Sequence, residues 1–413
     1  MTRILLAGGG TGGHVFPGLA VAAALRDARA DLEVSFVGTQ RGLESRVVPE
    51  AGWPLHIIEV LPLARRLSPD TARVPVALLR AVVEVTHLIR KRRVVAAGVF
   101  GGYVSLPLAL AARRTRIPYV VHEQNAIPGL ANRLAIRRAA AVAVTFPSSV
   151  ERIGGDVRVE VTGNPVRPEL DAVDRTALRD TALKAFDLDP RRRTLLVFGG
   201  SQGAHRINHA VVAALTRWRD PASLQILHAT GQDAYGDVVD AWGKAQQASL
   251  EAHPGRALPL VRCLDFVDRM DLAYAAADLV ICRSGASTIA ELTVLGVPSV
   301  LVPYPHATDD HQAANATDLA AAGGATVILD DDLNGETLVA VAEPLLVGES
   351  RRRRMAVAAR RFGRPDAADR VAALVLDAAG LTPDPASRRK APRPARARGP
   401  RTSHPTTREE RRQ

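Results

Sequence analysis

Apolar residues in this chain gather in short runs, and each run ends at glycines or a polar turn. "RILLA" (Arg3 to Ala7) enters the glycine loop "GGGTGGH", and the Ala/Leu-rich stretch "PGLAVAAALRDAR" leaves it with Pro17 at a helix-start position. The same cadence follows in the strand-like "EVSFVG" and in "VVAAGVFGGY", which carries its own glycine pair. The helix-like "LPLALAARR" and the strand-like "PYVVHEQN" come next. Strands alternating with helices predict a parallel sheet covered by helices on both faces.

The pattern restarts after "TGNPVRP" (Thr162 to Pro168), whose two prolines interrupt regular structure. "TLLVFGGSQGAHRIN" again reads strand, glycine loop, helix, and "LQILHAT", "LPLVRCLDF", "ADLVICRSGASTIAELTVLG" and "PSVLVPYP" continue it. Two such openings, about 190 residues apart, predict two Rossmann-like α/β domains in tandem with a cleft between them. The expected boundaries are residues 1–163 and 164–349, then closing helices over 350–380 and a tail over 381–413.

Composition narrows the class. The 413 residues are 47% hydrophobic and 23% charged, values of a globular chain long enough for two α/β domains. No run of about 18 apolar residues occurs, so no membrane span is expected. The apolar stretch in "MTRILLAGGG" is too short for a secretory signal. Cys263 and Cys282 form no C-x-x-C, and are expected as small buried hydrophobes in a reducing cytosol. Of the net charge of +11, residues Ser387 to Gln413 carry +8, from ten Arg/Lys and two Glu. That Pro/Arg-rich tail has no aromatic residue and reads as a disordered basic appendage without the means to stack on single strands.

A glycine loop between strand and helix presents backbone N–H groups to an anion, and the helix dipole favours it. Gly8, Gly10 and Gly13 satisfy G-x-G-x-x-G. A nicotinamide site also needs an acid closing the second strand, and "EVSFVG" runs instead into Thr39 and Gln40. The second loop offers Ser201 and Gln202 beside a helix N-terminus, for a pyrophosphate or as a cap. Thr288 and Glu291 read equally as a T-x-x-E capping box or as a first-turn carboxylate placed to accept ribose hydroxyls. "PHATDDHQAAN" gathers His306, Asp309, Asp310, His311, Gln312 and Asn315 as a solvated loop or ligand rim, without metal-ligand spacing. His14, at the mouth of the first loop, is a candidate general base, although such rings also cap helices and fill cores.

Seven motifs in order, "GGGTGGHVFPGLAVA", "GVFGGYVSLP", "HEQNAIPGLANR", "TGNPVR", "VFGGSQGA", "CRSGASTIAEL" and "DDHQAANA", resemble the MurG family of peptidoglycan N-acetylglucosaminyltransferases over roughly residues 3–378. The resemblance implies a two-domain GT-B enzyme with no cofactor and no metal. It would transfer GlcNAc from UDP-GlcNAc to the 4-hydroxyl of MurNAc in lipid I, with inversion, at the cytoplasmic membrane face. Donor-binding roles carry over to Thr11, Gly12, Gly13, Asn125, Arg167, Ser201 and Gln312. They extend to Phe266 and Val267 near uracil through main-chain contacts. Ala286, Ser287, Thr288, Ile289, Ala290 and Glu291 would wrap the nucleotide sugar, with Glu291 on the ribose. Gly101, Gly102 and Tyr103 would hold the acceptor pyrophosphate, and His14 is the candidate base. The chain departs from the pattern at His311, where some members carry a second glutamine.

"RVPVALLRAVVEVTHLIRKRR" (Arg73 to Arg93) reads as a basic amphipathic helix for anionic lipid, or as a sheet-covering helix with a basic last turn. A UDP-GlcNAc 2-epimerase or a transferase for another lipid would share the glycine loops. Nucleic-acid binding is suggested only by the overall charge, and no specific nucleic acid is expected as a partner.

Overall fold

The computed structural model describes residues 1–60, 74–171, 173–200 and 204–384. Ser201, Gln202, Arg73 and the basic tail from residue 385 therefore lie outside the described residues. The first sheet contains β1 (Thr2–Ala7), β2 (Leu32–Gly38), β3 (Leu55–Ile57), β4 (Val94–Val99), β5 (Tyr119–Glu123), β6 (Ala141–Val144) and β7 (Val159–Val161), in the order β3-β2-β1-β4-β5-β6-β7. The second contains β8 (Arg193–Phe198), β9 (Leu224–Ala229), β10 (Leu260–Leu264), β11 (Leu279–Cys282), β12 (Ser299–Leu301) and β13 (Ala325–Val327), in the order β10-β9-β8-β11-β12-β13. Every pairing is parallel. Strand order reverses beside β1 and again beside β8, and at such reversals a ligand crevice opens beyond the carboxyl ends.

The unbroken apolar runs follow from burial on both faces. In β1, Ile4 and Leu6 face one core and Leu5 and Ala7 the other, all fully buried. Helices Gly12–Ala28 and Ala367–Ala378 cover the first of these faces, where Val371, Leu374 and Val375 join Ile4, Leu6 and Leu25. The two closing helices thus serve different domains. Glu349–Phe362 packs on the helix Ala286–Leu295 of the second unit, and after Gly363 the chain crosses back to the first sheet. Gly363 suits that turn, since a Cβ there would lie 2.8 Å from the Thr293 carbonyl oxygen.

Cys263 and Cys282 are unpaired, and burial pushes the Cys263 thiol up to about 11. No helix among the described residues is long and apolar enough to cross a membrane.

One buried side chain pins the two units together. Asn315, fully buried in the helix His311–Ala321, accepts from the Ala126 N–H at 2.8 Å. Its amide nitrogen donates to Asn125 Oδ1 at 3.1 Å and to the Ser284 carbonyl at 3.2 Å. Ser148 N–H to Asp318 and an exposed Arg133–Asp309 pair flank it, and Phe146 meets Phe362 with ring centroids 6.1 Å apart. Removing one partner of a buried hydrogen bond costs about 1–3 kcal/mol. Asn315→Ala is therefore expected to lower thermal stability by several degrees and to broaden the interdomain distance distribution read by paired fluorophores. An unchanged melt and distance would show that Asn315 is not the pin.

Candidate active site

The first glycine loop is fixed from behind by a carboxylate. Glu44, fully buried at the start of the helix Glu44–Glu50, accepts from the Gly10 N–H at 3.0 Å, the Thr39 N–H at 3.0 Å and the Thr39 hydroxyl at 2.9 Å. Three donors compensate a buried charge that would otherwise be prohibitive. Sequence reasoning sought an acid closing β2; the acid stands just beyond it and is spent on the loop itself. The second glycine pair interlocks with the first. Gly102 has φ +78°, and a Cβ on it would sit 2.3 Å from the Gly9 carbonyl oxygen, so no other residue fits. Tyr103 reaches Thr39, hydroxyl to hydroxyl, at 3.4 Å.

This frame orients His14, in the first turn of Gly12–Ala28. Its Nδ1 lies 3.1 Å from the Gly9 carbonyl and 3.2 Å from Thr11 Oγ1. A carbonyl only accepts, so Nδ1 carries the proton and Nε2 is the basic nitrogen of the neutral ring. Burial holds the His14 pKa below its ordinary value; the Gly9 carbonyl opposes this, and the charge of His311 adds to it. Gly101 lies against the ring, where a Cβ would meet Cδ2 at 2.7 Å.

Behind it stands "HEQN". Gln124 Nε2 donates to the Phe100 carbonyl at 2.7 Å and to His122 Nδ1 at 3.1 Å, and His122 Nε2 donates to the Gly163 carbonyl at 3.1 Å. Burial pulls His122 down to about 4. Glu123 accepts from the N–H groups of Asn125 and Gly129 and from Asn132 Nδ2. Burial outweighs those bonds and pushes its carboxyl up to about 7.

Across from this wall, a cleft of about 350 Å³ is lined by Arg167, Phe198, Phe266, Val267, Tyr274 and Glu291, among others. Glu291 pairs with Arg167 at 3.3 Å and accepts from the Tyr274 hydroxyl at 2.9 Å. Burial raises its pKa, and Arg167 and Tyr274 oppose the rise. Arg167 also lies over the Phe16 ring of the first unit, 5.5 Å from its centroid. The capping-box alternative for Thr288 and Glu291 is overturned. The helix starts at Ala286 with Gly285 at its N-cap and no side-chain cap, which places Glu291 in the second turn rather than the first.

The remaining expected residues divide. Ser287 faces the first loop, its hydroxyl 3.8 Å from where a Gly13 Cβ would stand. Ala286 and Ile289 turn into the core, and Ala290 is also buried, so their side chains do not line the cleft. The Phe266 N–H donates to Asp265 at 2.7 Å, so this expected main-chain donor is already engaged. Gln312 Oε1 accepts from the Tyr304 N–H at 3.0 Å, and Asn125 Oδ1 is held by Asn315. Asp309 and Asp310 hold φ of +52° and +53° immediately before His311, the kind of local strain that collects at binding loops. Sequence reasoning missed Glu44, Glu123 and Tyr274. Glu44 stands 34 positions from Gly10, so no local pattern tied it to the glycine loop, and nothing local marked Tyr274.

The Glycosyltransferase family 28 N-terminal domain matches residues 4–144 and its C-terminal domain residues 194–371. The UDP-N-acetylglucosamine–N-acetylmuramyl-(pentapeptide) pyrophosphoryl-undecaprenol N-acetylglucosamine transferase of a Nocardioides species is 45% identical, covering 91% of this chain and 98% of the relative. The crystal structure of Acinetobacter baumannii MurG superposes with a TM-score of 0.72 at 31% identity, over 91% of this chain and all of that one. A UDP-GlcNAc 2-epimerase from Neisseria meningitidis shares the fold at a TM-score of 0.65, with 12% identity over 91% of this chain and all of that one. With both domains matched and that identity carried through nine-tenths of its length, the chain belongs to the MurG family of GT-B glycosyltransferases.

Proposed function

We propose that the chain transfers GlcNAc from UDP-GlcNAc to the 4-hydroxyl of MurNAc in lipid I, giving lipid II with inversion at the anomeric carbon. The observation that carries this reading is a histidine with its basic nitrogen fixed by tautomer, on the helix whose Phe16 ring lies under the Arg167 guanidinium that pairs with Glu291 in the other domain's cleft. His14 Nε2 takes the proton of the 4-hydroxyl as that oxygen bonds to the anomeric carbon. The bond from that carbon to the UDP oxygen breaks, and its electron pair leaves with the β-phosphate. Arg167, Ser201 and the N–H groups opening Gly12–Ala28 and Ala286–Leu295 meet the developing charge. Glu291 accepts the ribose hydroxyls, with uracil beside Phe266 and Val267. Thr11, Gly12, Gly13, Asn125, Gln312 and the first turn from Ala286 to Ala290 surround the donor sugar, the buried members through their backbone. Gly101, Gly102 and Tyr103 hold the acceptor pyrophosphate. The 2-epimerase relatives share the fold at far lower identity and do not favour the competing reading.

A membrane-surface role goes with a lipid acceptor. The helix Val74–Arg92 leaves Val76, Leu79 and Val83 exposed on a surface that also carries Arg80, with Arg90, Lys91 and Arg92 in its last turn. Apolar residues bounded by cations suit an anionic leaflet, and the cytoplasmic membrane face is the proposed location.

UDP release from UDP-GlcNAc that requires a short-chain lipid I analogue and yields a disaccharide supports the transferase; release without acceptor overturns it. His14→Gln is expected to lower kcat by roughly 10²–10⁴-fold with UDP affinity unchanged. A base must be neutral, and the depressed pKa keeps His14 neutral into mildly acidic solution. The acid limb of the kcat/KM profile is therefore expected below 6.5, the ordinary histidine value, and a limb above it would rule His14 out. Glu291→Ala is expected to cost about 10–100-fold in donor kcat/KM and to erase discrimination against a 2′-deoxyribose donor, since a lost charged hydrogen-bond partner is worth about 1.5–3 kcal/mol. Leu79→Asp with Val83→Asp should weaken affinity for anionic vesicles in co-sedimentation by about a hundredfold or more, burial of each side chain being worth about 1.5–3 kcal/mol. Undiminished binding would assign the contact elsewhere.

A further inference from the structure

A second cleft, of about 620 Å³, shares no residue with the one that holds Glu291. Its walls come from both units: Thr145, Pro147 and Val161 from the first, and Ala322, Arg353, Arg354, Val357, Ala358, Arg361, Phe362 and Arg364 from the second and the chain that follows it. The volume is that of a small-molecule site. No Asp or Glu lines it. Arg353 is paired with Glu349 at 2.5 Å, whereas Arg354, Arg361 and Arg364 have no carboxylate partner among the described residues. Arg354, Ala358 and Arg361 fall on one face of the helix Glu349–Phe362 at i, i+4 and i+7 spacing, with Val357 half-exposed beside them. Like charges gathered on one face repel, and no internal anion relieves them.

We propose that this cleft binds a phosphate-bearing amphiphile, a molecule with one or two phosphate groups and a short apolar portion. Guanidinium forks match phosphate oxygens in pairs, which accounts for arginine at all four cationic positions. Val161, Val357, Ala358 and Phe362 supply an apolar wall for the rest of the molecule. An occupant joins the two units. Thr145 donates to the Glu123 carbonyl, and the Arg364 stem packs against Gly163, whose carbonyl holds His122. The site therefore abuts the "HEQN" frame from the side away from His14.

The shared chemistry has two sources, a free phosphorylated solute and a phospholipid headgroup, and two probes separate them. Inorganic pyrophosphate and monomeric dihexanoyl phosphatidylglycerol are titrated calorimetrically into the full chain with UDP saturating, so that the nucleotide cleft is filled. Wild type is expected to bind one equivalent of at least one probe. Arg354→Glu with Arg361→Glu should weaken that binding at least tenfold, the loss of roughly one charge-assisted contact, while UDP affinity stays within about twofold. The basic tail is common to both proteins and cancels in the comparison. Tighter binding of the lipid probe, lost in Val357→Ser, assigns the headgroup; tighter pyrophosphate assigns the free solute. Equal binding by wild type and the double variant overturns the proposal, as does no binding by wild type. Should the charge reversals unfold the helix by circular dichroism, Arg354→Gln with Arg361→Gln is read by the same criteria.

Discussion

Two backbones touching at Gly9 and Gly102 set the geometry of the first domain's ligand edge. Nothing larger than hydrogen fits at that contact, and the buried Glu44 carboxylate holds one side of it by binding Gly10 and Thr39 together. The contact fixes the direction of the Gly9 carbonyl, and that carbonyl decides which nitrogen of His14 carries the proton. Tautomer, helix start and the open N–H groups of the loop are thus consequences of one close approach rather than separate features. A carboxylate behind a loop proposed to hold an anion is an apparent conflict. It is resolved because Glu44 spends its oxygens on three donors, the N–H groups of Gly10 and Thr39 and the Thr39 hydroxyl, which compensate its buried charge.

The second domain repeats the architecture with different side chains, and its link to the first combines buried polar contacts with an apolar one, in which Ala126 and Phe146 enter the second domain's core. Asn315 joins both domains through a buried amide, while Arg167 spans from the Phe16 ring to Glu291. Polar links of this kind specify one mutual arrangement, because each donor left without its acceptor is penalised. The crossing of Ala367–Ala378 back onto the first sheet completes the tie covalently, since the chain must pass both domains to reach its last described helix.

The sheets were legible because two-sided burial leaves a local trace, runs such as "RILLA" and "LVIC" bounded by glycine. The glycine loops were legible for the same reason: conformations that need glycine announce themselves. Glu44 was not, because its partners are backbone N–H groups that no sequence pattern distinguishes. Thr288 and Glu291 carried a valid capping signal, yet the N-cap falls three residues earlier at Gly285, shortly after β11 ends at Cys282, and the helix starts at Ala286. Asn315 sat in a polar run that read as a solvated loop or a ligand rim; its burial arises only when the second domain is laid against the first. Ser201 was read as a phosphate contact, and it lies outside the described residues.

The state of Glu291 bears on why a nucleotide sugar would suit its cleft. Its two oxygens already have one partner each, Arg167 and Tyr274, and still burial raises its pKa. The direction of that shift means that the two donors do not fully replace the water the carboxylate has lost. A vicinal pair of hydroxyls would add two donors to an acceptor with lone pairs to spare, and would lower the carboxyl's proton affinity as it bound. Ribose binding and ionisation of Glu291 are then coupled, each favouring the other. The same residue in a solvated position would gain little from the sugar, because water would already have satisfied it. Burial of the carboxylate, which is unfavourable for the unliganded protein, would make the site selective for a ligand that brings its own donors.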